Sequence, residues 1–249
     1  MPLPPGFAAR PFAHRALHGP GRPENSISAI RAAIAAGYGI EIDVQRSRDG
    51  TAMVFHDYHL GRLTEAEGPV AQRSAEELQR TRLLGAQAEG IPTLAQVLAE
   101  VAGQVPLLIE IKDQDGALGD RVGPLEEAIA ADLARYRGPV AVMSFNPHSV
   151  ARMAAALPDL PRGLTTCHFP PEDWPMVPEA RRAELRGMPD LDRVGAVFIS
   201  HQRDDLGSNE VAHARASGRA VFCWTIRSPE EEAAARKVAD QITFEGYLP

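Results

Sequence analysis

The chain has 249 residues, 44% of them hydrophobic and 24% charged, with a formal net charge of −7. Its length suits one α/β barrel of about 250 residues, and its composition is ordinary for a protein with a real core. The acidic balance excludes a nucleic-acid surface, which needs a basic patch, and no apolar run approaches the ~20 residues of a membrane helix.

In chain order, short apolar runs that read as strands cover residues 11–15, 38–46, 52–56, 106–112, 139–145, 162–167, 195–200, 220–226 and 240–244. Amphipathic stretches predict helices over 26–36, 93–102, 121–137, 147–156, 208–217 and 229–237. Asn25 or Ser26 can cap the first helix, and Gly37 can close it. Alternating strands and helices argue a parallel sheet with helical crossovers. Nine strands are one too many for an eight-stranded barrel. The runs 38–46 and 52–56, however, are joined only by Ser47-Arg-Asp-Gly-Thr51. Asp-Gly is a strong hairpin signal, and no helix fits between the two runs. They must be antiparallel, and setting 52–56 aside leaves eight parallel strands.

The expected architecture is therefore a (β/α)8 TIM barrel, one domain over residues 1–249, with an antiparallel hairpin at its rim. A small insertion, about residues 58–92, falls on the C-terminal face, where the active sites of such barrels lie. It is expected to roof the site. The proline-rich stretch 168–193 reads as a second rim loop.

The opening Met1-Pro-Leu-Pro-Pro-Gly6 lacks the basic region and apolar core of a secretory signal. A cytoplasmic location is expected. In such a compartment Cys167 and Cys223 read as buried thiols, with a disulfide the lesser alternative.

Charged residues stand out against the apolar strands. Glu41 and Asp43 share a strand face, as do Glu110 and Lys112. Folding the hairpin places His56 roughly across from Asp43, with Cβ atoms ~4.5–5.5 Å apart if the register holds. A slip by one residue stays open. Carboxylates crowded together repel one another, and a divalent cation relieves this. All-oxygen donors select Mg²⁺ or Ca²⁺ over softer metals. Read without further context, Glu41, Asp43 and Glu110 suit a metal site or strand-end ion pairs about equally. Arg15 can grip a phosphate bidentately or cap a strand end. Lys112 can do likewise or pair with Glu110. His14 and His56 bracket the carboxylates, and imidazoles can move protons near neutral pH.

The ordered set is more specific than its parts. It comprises Phe12-Ala-His-Arg-Ala16, Pro23-Glu-Asn-Ser26, Ile40-Glu-Ile-Asp-Val44, Asp49-Gly50, Val54-Phe-His-Asp57, Ile109-Glu-Ile-Lys112, Ser144-Phe145 and Cys223-Trp-Thr-Ile226. This set resembles the glycerophosphodiester phosphodiesterase family, a branch of the phospholipase C-like phosphodiesterase barrels. The resemblance runs from Pro11 to Ile242-Thr-Phe-Glu245. One departure is Ala16, where the family has Gly, a methyl group expected to narrow the site.

The resemblance implies metal-dependent hydrolysis of glycerophosphodiesters to sn-glycerol 3-phosphate and an alcohol. It implies Glu41, Asp43 and Glu110 as ligands of one Mg²⁺ or Ca²⁺, and His14 and His56 as the catalytic pair, here assigned as base and acid. Arg15 and Lys112 would contact the phosphate. Glu24 or Asn25 would orient His14 or touch substrate, the alternative being helix capping. Trp224 would wall the glycerol moiety, the alternative being core packing. The implied partner is a small glycerophosphodiester, and a homo-oligomer is left open. Two alternatives remain: a lysophospholipase D-type enzyme, which needs an apolar groove, and a barrel that binds a phosphorylated ligand without turnover.

Overall fold

The computed structural model describes residues 2–249. Its strands are β1 Phe12–Ala13, β2 Gly39–Arg46, β3 Ala52–Val54, β4 Leu107–Ile111, β5 Val140–Ser144, β6 Arg162–Thr166, β7 Phe198–Gln202, β8 Ala220–Ile226 and β9 Gln241–Phe244. Eight of these run parallel and close into a ring, β1-β2-β4-β5-β6-β7-β8-β9, because β1 pairs with both β2 and β9. The fold is a TIM barrel. The remaining strand, β3, pairs antiparallel with the upper end of β2 and lies outside the ring.

The helices are α1 Ile27–Ala36, α2 Ala75–Arg80, α3 Leu94–Val101, α4 Pro124–Leu133, α5 Pro147–Ala156, α6 Glu179–Arg186, α7 Asn209–Ala216 and α8 Pro229–Ala235. Their ends follow local chemistry. Ser26 caps α1 by accepting from the Ala29 amide, and Gly37 closes it at φ 72°, the left-handed region glycine enters without strain. Asn25 is free for another task. Helix α6 falls inside 168–193, which carried no helical signal. Leu185 is its one buried residue, so there is no apolar stripe to read. None of these helices is long and apolar enough to cross a membrane.

Side chains alternate along each barrel strand, and this period of two builds the site. On β2, Ile40, Ile42 and Val44 face the helices within the large apolar cluster that joins barrel and helices. Glu41, Asp43 and Gln45 point the other way. The lower barrel is filled by Phe7, Phe12, Leu108, Ala141, Met143, Phe198 and Phe222. Packing there is tight: a Cβ on Gly163 would sit 2.5 Å from the Phe198 ring. Two residues further along the same strands come His14, Glu110, Ser200 and Trp224. The apolar floor and the polar ceiling thus belong to one inward face.

Strand β2 is the seam. Its lower end pairs with β1 at Gly39 and Ile40, and its upper end pairs with β3 from Val44 to Arg46. The hairpin register sets Val44 against Val54, and the Phe55 amide donates to the Asp43 carbonyl at 3.0 Å. Phe55, not His56, is therefore opposite Asp43, one residue from the expected pairing. From β3 onward the chain forms its own apolar cluster from Met53, Phe55, Leu60, Val70, Ala75, Leu78, Leu83 and Ile91.

Candidate active site

At the top of the barrel, Glu41, Asp43 and Glu110 each offer an oxygen within 4.8 Å of the other two. All three are buried, at 2%, 2% and 7% exposure. Lys112 Nζ lies 2.8 Å from Glu110 Oε1 and 3.4 Å from Asp43 Oδ1. Arg15 Nε lies 3.6 Å from Asp43 Oδ2. Three carboxylates thus face two cations, leaving one negative charge uncompensated in a low-dielectric site. The strain falls on Glu41, where burial and then repulsion from Asp43 and Glu110 push the carboxyl well above its usual range. Burial would raise Asp43 too, but Lys112, His56 and Arg15 outweigh it and hold it low. The ion-pair and metal-site readings are therefore both present in geometry, and the surplus charge with an all-oxygen donor set fits a hard divalent cation.

The edge of β2 between its two partners is sealed by the loop after β1. The Ala16 amide donates to the Glu41 carbonyl at 2.9 Å, and the Arg15 amide donates to Glu41 Oε2 at 2.9 Å. Asn25 Nδ2 donates to Asp43 Oδ2 at 3.0 Å and its Oδ1 accepts from the Asp43 amide at 3.3 Å. Asn25 orients a carboxylate, whereas capping, the role its position suggested, belongs to Ser26. Arg15, Ala16 and Asn25 sit at φ 51°, 65° and 58°, a left-handed conformation that side chains with a Cβ resist. Ala16 is buried in the main apolar cluster and lines neither cavity described below. Its methyl strains the backbone and does not narrow the site.

Both histidines give Nδ1 to a carboxylate. His14 lies 2.6 Å from Glu245 Oε2, and Glu245 also pairs with Arg227 through Oε1 at 2.6 Å. The hydrogen bond from His14, with His18 Nε2 3.6 Å away and Arg227 beside it, holds the Glu245 carboxyl far below its ordinary value. Burial lowers His14, although its bond to Glu245 opposes this. His56 Nδ1 lies 2.7 Å from Asp57 Oδ1. Burial alone would raise Asp57, but hydrogen bonds from Arg62 and His56 bring it down to about 2. Gln45 Nε2 donates to the carbonyls of Phe55 and His56, both at 2.9 Å, and to that of Asp57. That clamp turns the chain back after β3, so His56 faces the site despite the shifted register.

Two cavities meet here. An inner one of about 180 Å³ is lined by His14, Arg15, Glu41, Asp43, His56, Glu110 and Lys112, with Ser200 and Thr243 beneath them. An outer one of about 650 Å³ is lined by Tyr58, His59, Leu118, Cys167, Asp173 and Trp174 among others. His56, Glu110, Lys112, Phe145 and Trp224 border both. Trp224 Nε1 donates to the Ser200 carbonyl at 2.9 Å, which fixes the ring as a shared wall. Glu24 borders neither cavity and instead accepts from Arg15 Nη1 at 2.9 Å.

A model of the glycerophosphoryl diester phosphodiesterase family matches residues 14–242. The chain belongs to that family. Among curated members, it is 28% identical to YhdW of Bacillus subtilis over 89% of this chain and 88% of the relative. It is 33% identical to a glycerophosphodiester phosphodiesterase of Caldanaerobacter subterraneus over 57% of this chain and 60% of the relative. Among solved structures, a phosphodiesterase of Oleispira antarctica in complex with the product sn-glycerol 3-phosphate superposes with a TM-score of 0.77. That match has 24% identity and covers 96% of this chain and 94% of the other. The glycerophosphodiester phosphodiesterase of Thermotoga maritima gives 0.70 at 20% identity, covering 94% and 92%. The family makes the chain a metal-dependent phosphoric diester hydrolase.

Against this family frame, the structure brings together nine of the ten residues singled out in sequence, Asn25 through Asp43, and holds Glu24 behind Arg15. Sequence reasoning passed over Glu245, Asp57, Gln45 and Arg62. Glu245 had a usable signal: it continues the inward alternation of Gln241 and Thr243. Arg62 had none. The roof expected of 58–92 also changes. Tyr58 and His59 reach the outer cavity, but residues 60–92 line neither cavity and pack into their own cluster. The opposite wall comes from Leu118, Asp173 and Trp174. Cys167 and Cys223 are free, buried thiols.

Proposed function

We propose that the inner cavity hydrolyses a glycerophosphodiester to sn-glycerol 3-phosphate and an alcohol. The observation that carries this is the convergence of two carboxylate-backed imidazoles, two cations and three carboxylates on one small cavity. Glu41, Asp43 and Glu110 would hold one Mg²⁺ or Ca²⁺, which when bound supplies Lewis-acid stabilisation of charge on a phosphoryl oxygen. Arg15 and Lys112 would neutralise the remaining phosphoryl charge. His14, borne by Glu245, takes a proton through its second ring nitrogen from the water that attacks phosphorus. His56, borne by Asp57, borders both cavities and returns a proton to the alcohol leaving through the outer one.

The size and lining of the outer cavity favour a second substrate class beside small diesters. Leu118, Phe145, Trp174 and Trp224 form the apolar groove that a lysophospholipase D-type reaction needs, and its volume lies in the range of ordinary ligand pockets.

Release of glycerol 3-phosphate, measured across several head groups and one lysophospholipid with and without divalent cation, tests both readings. Metal-dependent release from a glycerophosphodiester is expected, and chelation should abolish it. Full activity in metal-free protein would overturn the carboxylate assignment, and no release from any diester would overturn the reaction.

A further inference from the structure

The site contains one connection that the reaction scheme does not use. Arg62 lies five residues past Asp57, on the segment after β3, with its side chain about half exposed. Its guanidinium makes a fork to Asp57, Nε to Oδ2 at 2.5 Å and Nη2 to Oδ1 at 2.8 Å. It makes a second fork to Glu24, Nη1 to Oε2 at 3.0 Å and Nη2 to Oε1 at 2.7 Å. Asp57 in turn holds His56, and Glu24 holds Arg15. A single hydrogen-bonded chain therefore runs His56–Asp57–Arg62–Glu24–Arg15.

We infer that Arg62 is a positioning residue, which fixes His56 through Asp57 and Arg15 through Glu24. The geometry gives it two tasks. One is to aim the Asp57 carboxylate at His56 Nδ1, so that the ring keeps one tautomer and turns Nε2 towards the cavity. The other is to hold Glu24 in place, so that Arg15 stays extended beside Asp43. Only a planar fork serves both carboxylates at once; an ammonium is a point charge without that geometry. Arg62 lines neither the inner nor the outer cavity, so its effect there passes through its two partners. A salt bridge at a half-exposed position adds little stability, which separates this role from a structural one.

The inference rests on the proposed reaction, and its test has one arm that does not. In the first arm, ring-nitrogen NMR of the full chain follows His56 in wild type, Arg62→Ala and Arg62→Lys. Wild type should show a single Nδ1–H tautomer, and Arg62→Ala should show averaged ring nitrogens. In the second arm, kcat and KM are measured for a glycerophosphodiester. Arg62→Ala should lower kcat on the order of 10-fold, less than the ~10²–10⁴-fold for losing a proton-transfer group outright. Arg62→Lys should restore only part of it. Millimolar guanidinium ion should raise kcat of Arg62→Ala several-fold and leave wild type unchanged, because the vacated site is open to solvent. An unchanged His56 signature in Arg62→Ala would overturn the inference whatever the enzyme's activity. So would a kcat loss that Lys and guanidinium both fail to relieve. Loss of glycerol 3-phosphate release from wild type would instead overturn the reaction, with the NMR arm still deciding the role of Arg62.

Discussion

An imidazole moves protons well only when one ring nitrogen is fixed and the other is free. His14 and His56 both meet that condition, through Glu245 at 2.6 Å and Asp57 at 2.7 Å. The two dyads differ in surroundings. His14 lines only the inner cavity, whereas His56 stands at the boundary with the outer one. His14→Ala and His56→Ala should each lower kcat by ~10²–10⁴-fold, the usual range for losing a general acid or base. Both variants should keep the wild-type circular dichroism spectrum and still bind glycerol 3-phosphate. If kcat of either stays within a few-fold of wild type, that histidine has no part in proton transfer. A poor leaving alcohol needs protonation as it departs and 4-nitrophenolate does not, so His56→Ala should recover on a 4-nitrophenyl ester, and His14→Ala should not.

Among the elements, the β2–β3 hairpin does most to assemble the site, and one buried amide holds its exit. Gln45→Leu keeps the volume but leaves three carbonyls after β3 without their donor. A loss of ~1–3 kcal/mol in stability is expected from unsatisfied buried groups, together with a fall in kcat as His56 loosens. Chemical denaturation and steady-state kinetics on the same preparation check both; an unchanged denaturation midpoint would show that water replaces the amide. The outer cavity belongs to other elements. Trp174, before α6, and Leu118, before α4, face Tyr58 across it. Trp174→Ala should alter the ranking of head groups more than it alters turnover of the smallest diester, and equal losses on all substrates would place Trp174 in the catalytic shell. Much of this was legible in the chain. The period of two put Glu41 with Asp43 and Glu110 with Lys112, and the Asp49-Gly50 turn revealed the odd strand. The hairpin register was not legible, because Ala52-Met-Val-Phe55 is a continuous apolar run with no alternation to fix which residue faces which side. Helix α6 was hidden by its lack of an apolar stripe. Of the groups behind the histidines, Asp57 adjoins His56 and Glu245 continues the inward alternation of β9, whereas Arg62 was hidden because it meets the site only through tertiary contacts.

For the molecule as a whole, the site makes stability depend on pH with two opposing signs: Glu41, held well above the ordinary carboxylate range, contributes stability that is present below its unfolded value and lost as pH rises, and the groups held low oppose it. Burial holds His14 and His201 below the ordinary histidine value. The unfolded chain therefore takes up protons first, from about pH 6.5 downward. Glu24, Asp57 and Glu245 are also held below ordinary carboxylate values, Asp57 at about 2. What these three contribute is fully present above about pH 4 and is lost as pH falls through their folded values. Glu41 opposes the histidines above about pH 4, whereas below it the carboxylates held low set the sign, so melting temperature should decline steeply below about pH 4. A Tm that rises on acidification below about pH 4 would contradict these environments.

Barrel closure brings in time as well as energy. Strand β1 contributes two residues to the ring, held by β2 on one side and β9 on the other. The His14–Glu245 bond that follows it spans 231 positions of the chain. Contacts that distant close late, because the entropy of the long loop opposes them until the intervening units have docked. A partly folded barrel would carry most of its helices and strands and yet have no complete proton-transfer pair. Catalytic activity is therefore a clock for the final closure. During refolding from denaturant, helical signal should return before diester hydrolysis, and if the two recovered at one rate, β1 and β9 would have to meet at the outset.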